Sequence, residues 1–551
     1  GAQLWSTGAL ARTGAESAIA DPLEEEPNAV VNIEQPGIVG GTRRATRARG
    51  ALTGLLPVAL ALALAWLVLA PTMADPDLWG HLRYGLDNLD ARGVLRTDVY
   101  SYLTEPGTWI NHEWLAEISL AAAFRAGGSA GVVTLKMLLA LASLAAIYAA
   151  ARTRGAGEVA ATVATLFAIA SLKPILGPAR PQMFTVLGFA VLLLLLVSRE
   201  RHPNAIWWVV PLFIVWTNAH GGFLAGIGFL GLAVIVEAVQ TLQVAGSARV
   251  LLQPPFLLLA RAGLAALGAT LVNPYGLRLW TFLLKTATVP RPEIEDWQPL
   301  VTYGSYTLFV AVLALLGIWA LYRSRRALNP LLLVTYLVSA ILVNSAVRHL
   351  LFFGIAWAVF HAEHIDVAGR YLLAPIRLAP RLRRVLLAVA IATTIGAWAG
   401  VLTQPLRVEI PRQSYPARAV GLIQRHLPQG RIVVLFDWGQ YALWHLGPGV
   451  QVSMDGRRET AYSEAIYQEN LHLTFGYGEW DVLLERGSPD LVLVSNEHPA
   501  VNLMGLHPQW TLVYEDPLCG LYARADTDLA GEISAALPPA IPYDGYRWDF
   551  P

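Results

Sequence analysis

Apolar stretches set the rhythm of the chain. They run over residues 51–71, 131–151, 157–173, 183–198, 205–218, 222–241, 256–273, 306–322, 330–346, 350–362 and 385–403. A helix of roughly 20 apolar residues crosses a bilayer, and the shorter stretches fit if tilted or partly buried. From residue 404 the pattern changes. Short apolar runs at 432–436, 450–454, 491–494, 512–514 and 520–523 alternate with turn residues and read as strands. Residues 417–426, 462–473 and 480–486 read as helices between them. Strands alternating with helices predict a small α/β domain. The pattern therefore predicts a polytopic α-helical membrane protein of about eleven transmembrane helices, followed by a C-terminal extracytoplasmic α/β domain.

The domain boundaries follow from the same pattern. Residues 1–50 are small and polar and read as a disordered cytoplasmic tail. Residues 51–403 form the transmembrane part, interrupted by a long, polar first external loop at 72–130. Residues 404–551 form the α/β domain, closing with a Pro- and Ala-rich stretch from 526 that wraps the surface.

Charge orients the spans. Arg43, Arg44, Arg47 and Arg49 precede the first one, which puts the N-terminus in the cytoplasm. The connections at 152–154, 199–201, around Arg249, at 322–326 and at 361–384 then all fall inside, and all are basic. The same alternation sends the region after 403 outside. Only 15% of the residues are charged and 55% are hydrophobic, against about 25% charged in soluble domains. The formal net charge of +0 gives no field that would attract nucleic acid. The single cysteine, Cys519, has no partner for an internal disulfide.

The candidate chemistry gathers on the external side. The first loop carries Asp75, Asp77, His81, His112 and Glu113, and later turns add Arg180, Gln182, Asn218, His220, Arg348 and His349. Ionisable groups near membrane depth are costly and tend to be functional. In Asp75-Pro76-Asp77, the two carboxylates suit either a shared divalent cation, Mg or Mn, or a grip on a substrate hydroxyl. Asp75 is equally a good helix cap with Pro76 at the first helical position, which leaves Asp77 free for chemistry. A helix from Pro76 puts Asp77 and His81 on one face. Asn111 and Glu113 either serve the amphipathic helix over 115–125 as cap and dipole partner or stand beside Asp77. Arg180, His220, Arg348 and His349 form a donor-rich set that suits a phosphate or diphosphate better than a metal. Gln182 and Asn218 lie beside them at helix ends. Asp455-Gly456-Arg457-Arg458 reads as a solvated loop with internal salt bridges. No phosphate-binding P-loop, paired CxxC, HExxH or G-x-S-x-G pattern is present in the sequence.

This layout, with the motifs DPDLWGHLRYG, WINHEWLAE, ARPQMF, NAHGGF and VRHLLFF, resembles the GT-C superfamily of integral membrane glycosyltransferases, which includes protein O-mannosyltransferases and aminoarabinose transferases. The resemblance covers about residues 51–525 and implies a bacterial inner-membrane enzyme, acting with inversion on a polyprenyl-phosphate-linked sugar. It implies Asp77 as the base, with Asp75 and Glu113 beside it, and Arg180, His220, Arg348 and His349 around the leaving phosphate. It leaves the acceptor open between lipid, glycan and protein. The mannosyltransferases carry an Asp-Glu pair where this chain has Asp75-Pro76-Asp77, so the base and any metal remain open at this point. Two other readings share the layout: a non-catalytic subunit of a membrane complex, and a transporter of lipid-linked glycans.

Overall fold

The computed structural model describes residues 55–104, 109–245, 247–287, 289, 291, 293–376, 378–411, 414–536 and 550. The tail read over 1–50 and most of the closing stretch from 526 lie outside these residues.

Among the described residues, each apolar stretch is mostly helical. The helices are α1 (Leu55–Leu69), α2 (Pro76–Asp90), α3 (Trp114–Thr153), α4 (Glu158–Leu176), α5 (Gln182–Ser198), α6 (Val209–Ala219), α7 (Phe223–Ala245), α8 (Pro254–Ala269), α9 (Leu277–Ala287), α10 (Gly304–Ser324), α11 (Pro330–Ser345), α12 (Leu350–Leu373) and α13 (Pro380–Thr403). Among the described residues, six helices are long and apolar enough to cross a membrane: α3, α4, α7, α10, α12 with the turn before it, and α13. Four shorter apolar helices, α1, α5, α8 and α11, stand with them. The chain is a multi-pass membrane protein.

Two helices differ from the sequence reading. Helix α3 joins the amphipathic 115–125 segment to the span that follows, with a break at Gly127 and Gly128. Gly128 has φ 55° and ψ −140°, a conformation open mainly to glycine, so the helix changes direction where the loop meets the bundle. Helix α12 runs to Leu373 instead of ending at 362. Its polar residues His361, Glu363 and His364 are buried inside the helix packing, not in a connecting loop. Glu363 lies 3.2 Å from Arg154 and 3.5 Å from Arg326, and His364 Nδ1 is 2.8 Å from Ser324 Oγ. Pairing lets a polar stretch stay helical and inside.

The C-terminal α/β region is present. Strands β1 (Thr72–Met73) and β2 (Val408–Glu409) pair in parallel. Strands β3 (Gly430–Val434), β4 (Val450–Val452), β5 (Leu491–Ser495), β6 (Trp510–Glu515) and β7 (Cys519–Arg524) form a mixed sheet of order β4-β3-β5-β7-β6. Helix α14 (Ala417–His426) precedes it. The run 432–436 is not all strand: it leaves the sheet after Val434, and Phe436 begins helix α15 (Phe436–Leu446).

The first loop and the α/β region are packed into each other. Trp79 of α2 is fully buried, with Tyr415, Tyr441, His445 and Phe550 rings at 5.7, 5.1, 5.3 and 4.6 Å. Ring pairs of this kind are worth about 0.5–1.5 kcal/mol each beyond burial. Lys136 of α3 is fully buried, and its Nζ donates to Gly177 O at 2.7 Å and Pro71 O at 3.3 Å. It fastens the end of α4 to the segment after α1, and so fixes the floor on which the first loop rests.

Candidate active site

The helix ends that face the α/β region enclose a cavity of about 670 Å³. Residues that line it include Asp77, Glu113, Arg180, His220, Arg348 and Gln440, so the loop, the bundle and the α/β region all contribute. His81, His112, Gln182 and His349 also face it.

Local sequence explains how α2 presents Asp77. Asp75 caps the helix, its Oδ1 accepting from the amides of Asp77 and Leu78 at 3.0 Å each. Asp75 Oδ2 accepts from Arg180 Nε at 2.7 Å. Asp75 is thus committed to structure, and Asp77, with no amide to cap, turns its carboxylate to the cavity. Arg180 serves three carboxylates. Its Nη2 is 3.6 Å from Asp77 Oδ2 and its Nη1 is 3.1 Å from Asp296 Oδ2. Burial raises the Asp77 carboxyl above its usual range, Arg180 pulls it down, and Asp75 and Glu113 push it up; the net effect is upward. The same carboxylates raise Arg180 against the cost of its burial.

Glu113 is treated the other way. Burial alone would raise it, but His112, His220, His81 and Arg348 outweigh that and hold it below its usual value. His112 Nε2 and His220 Nε2 stand 3.6 and 3.5 Å from Glu113 Oε1. The His220 tautomer is set from behind: Gly222 N–H donates to its Nδ1 at 3.0 Å, and Thr185 Oγ1 lies 2.7 Å from the same nitrogen. Nε2 therefore carries the hydrogen that points to Glu113. Burial lowers His220 to about 3, so the ring is neutral at pH 7. The two carboxyls of the cavity are thus pushed in opposite directions, Asp77 up and Glu113 down.

His81 sits one turn beyond Asp77. Burial pulls its basicity down, but the bond to Glu117, at 3.4 Å from Nδ1, and the charges of Glu113, Glu117 and Asp77 raise it to about 9. Glu117 is itself buried and accepts from Asn111 Nδ2 at 2.5 Å. The sequence reading did not single out Glu117, whose only signal was an acid inside an amphipathic stretch.

The basic side of the cavity is built on Trp297. The Arg348 and Arg291 guanidiniums lie 4.5 and 4.1 Å from its ring. Arg348 has no ion pair among the described residues. His349 Nδ1 is 2.9 Å from Leu342 O. Arg291 and Trp297 were not in the set chosen from sequence, because nothing local marks them.

Two sequence readings change. Asn218 does not face the cavity: its Oδ1 accepts from Trp114 Nε1 at 2.9 Å, and its Nδ2 donates to Ile214 O and Val272 O at 2.8 and 2.7 Å. It holds helices together. Of the two carboxylates considered for a divalent cation, Asp75 has both oxygens in hydrogen bonds and Asp77 Oδ2 lies 3.6 Å from Arg180 Nη2. Among the described residues no group of three His, Cys, Asp or Glu could hold a metal ion. Finally, Asp455-Gly456-Arg457-Arg458 is not a solvated loop. Asp455, Arg457 and Arg458 are buried, and Gly456, Arg457 and Arg458 reach the cavity. Arg457 joins Asp455 at 2.6 Å and Asp98 at 2.8 Å, with its guanidinium about 5 Å from the Tyr84, Tyr100 and Trp109 rings. Arg458 lies 2.9 Å from Glu293.

No protein-family profile matches the chain, and no curated protein does. Among solved structures, the chain is similar to the Archaeoglobus fulgidus oligosaccharyltransferase tethered with an acceptor peptide containing the NVT sequon. The two are 15% identical with a TM-score of 0.51, over 81% of this chain and 69% of that one. The apo form of that protein gives 15% and 0.51, over 87% and 74%. ArnT from Cupriavidus metallidurans bound to undecaprenyl phosphate gives 14% and 0.48, over 86% of this chain and 98% of that one. At these identities the likeness is one of fold alone: the chain shares the fold of the oligosaccharyltransferase.

Proposed function

We propose that this protein is an inverting membrane glycosyltransferase. It moves a sugar from a polyprenyl-phosphate-linked donor to an acceptor hydroxyl on the extracytoplasmic face of the bacterial inner membrane. The observation that carries the reading is that Asp77, a carboxylate with raised proton affinity, shares one cavity with the Arg348–Trp297–Arg291 group. The GT-C fold, in which the sequence motifs imply a lipid-phosphate donor, supports it.

In this reading Asp77 takes the proton of the acceptor hydroxyl as the oxygen attacks the anomeric carbon. The bond from that carbon to the phosphate oxygen breaks, and its electron pair leaves on the lipid phosphate. Arg348, Arg291 and His349 are the donors for the charge that develops there. Arg180 acts on Asp77 rather than on phosphate, since three carboxylates already share its charge. Glu113 stays ionised and balances His81 and the buried arginines. One base suffices for a single displacement, so the sugar emerges with inverted configuration.

The test is donor consumption by the purified protein in nanodiscs across a panel of polyprenyl-phosphate sugars, with the anomeric configuration of the product read by NMR. Release of polyprenyl phosphate with inversion supports the reading. Retention of configuration contradicts the mechanism, and no turnover across a broad panel favours an accessory subunit that keeps the fold.

A further inference from the structure

Gln440 belongs to the second turn of α15, in the α/β region, and lines the cavity together with residues of the first loop and the helix bundle. It is only 3% exposed. No hydrogen bond joins its amide to any described residue, and its Oε1 is buried without a partner. Buried polar groups are nearly always paired, so an unpaired one on a side chain that lines a cavity marks a place for a ligand atom.

Two glycines make room for this side chain. A Cβ on Gly80 of α2 would stand 2.5 Å from Gln440 Oε1. A Cβ on Gly456 would stand 2.6 Å from Gln440 Nε2 and 2.8 Å from Asp77 Oδ1. The amide therefore runs through a slot between α2 and the 455–458 loop and ends beside the Asp77 carboxylate. A carboxamide both donates and accepts. Its natural complement is a hydroxyl, which does both as well; a phosphate oxygen only accepts and would leave Oε1 unpaired.

We propose that Gln440 is a specificity-determining residue of the C-terminal region that binds a substrate hydroxyl next to Asp77. The inference rests on the transferase reading for the reaction but not for the binding. The hydroxyl belongs either to the sugar of the donor or to the acceptor.

The experiment compares the full-length wild type with Gln440→Met, which keeps the side-chain length, and with Gln440→Leu. Binding is measured in nanodiscs for a polyprenyl-phosphate hexose and for bare polyprenyl phosphate, together with the unfolding midpoint. If the donor sugar is the ligand, both variants bind the hexose donor about 10-fold or more weakly. Bare polyprenyl phosphate binds unchanged and the unfolding midpoint does not fall. If the acceptor is the ligand, donor binding is unchanged and the acceptor KM rises by a similar factor. Unchanged donor binding with unchanged acceptor KM overturns the proposal. So does a lowered unfolding midpoint that accounts for the loss, since a merely structural glutamine would produce it. A wild type that binds the hexose donor and needs Gln440 for it, but transfers nothing, sinks the transferase reading and leaves the Gln440 site standing.

Discussion

Arg180 Nε stands 2.7 Å from Asp75 Oδ2, so the residue that caps α2 also holds the guanidinium that steadies Asp77. Among the groups around Asp77, the Arg180 charge is the largest one opposing the upward push of burial. Arg180→Gln should therefore raise the Asp77 carboxyl further. Transfer needs Asp77 ionised, so activity is lost as pH falls through its raised value. The acid limb of the kcat/KM profile should move to higher pH in the variant. An unmoved acid limb would detach Arg180 from the base.

His81 gives a stability signature. Its basicity rises from the usual 6.5 to about 9 in the folded protein. A raised value means that its stabilising contribution is fully present below pH 6.5 and is lost as pH rises through about 9. The rise corresponds to at most ~3 kcal/mol. The unfolding midpoint of the wild type should drop between pH 7 and 9.5, and His81→Gln should flatten that drop.

Arg457 is a second stability test. It pairs with Asp455 and Asp98 while itself 7% exposed. Arg457→Leu leaves two buried carboxylates without their cation, a change that costs about 3–5 kcal/mol. Thermal unfolding should show a loss of this order, against little change for Arg407→Leu, whose partner Glu409 is exposed.

The contrast between these arginines shows what the sequence could and could not convey. The apolar helices are legible because a run of that length must leave water, for lipid or for the helix packing, wherever it lies in the chain. The Asp75 cap was legible because capping depends on its next three residues. The 455–458 loop was misread because its local polarity is that of a solvated turn. Its partners Asp98, Tyr84, Tyr100 and Trp109 come from the first loop, and no periodicity links the two. The end of α12 was misread for the same reason: Glu363 is buried against Arg154 and Arg326, both distant in sequence. Gln440 carried no signal at all, since only the packing of α2 against α15 brings it beside Asp77.

Gly456 offers a test of that packing. Gly456→Ala puts a methyl 2.8 Å from where Asp77 Oδ1 now stands. The carboxylate and the Gln440 amide are flexible ends and can shift, so folding should persist. A displaced base costs roughly 10²-fold in rate. Near-normal transfer with a normal unfolding midpoint would mean that Asp77 does not need its present position.

The most direct measurement is release of polyprenyl phosphate from polyprenyl-phosphate sugars by wild type and by Asp77→Asn, each with its unfolding midpoint recorded. The account predicts release by the wild type, a loss of about 10²–10⁴-fold in the variant, and a midpoint no lower than the wild type's, because the substitution removes a carboxylate whose ionisation burial already opposes. Equal release by the two proteins would contradict the assignment of Asp77 as the base.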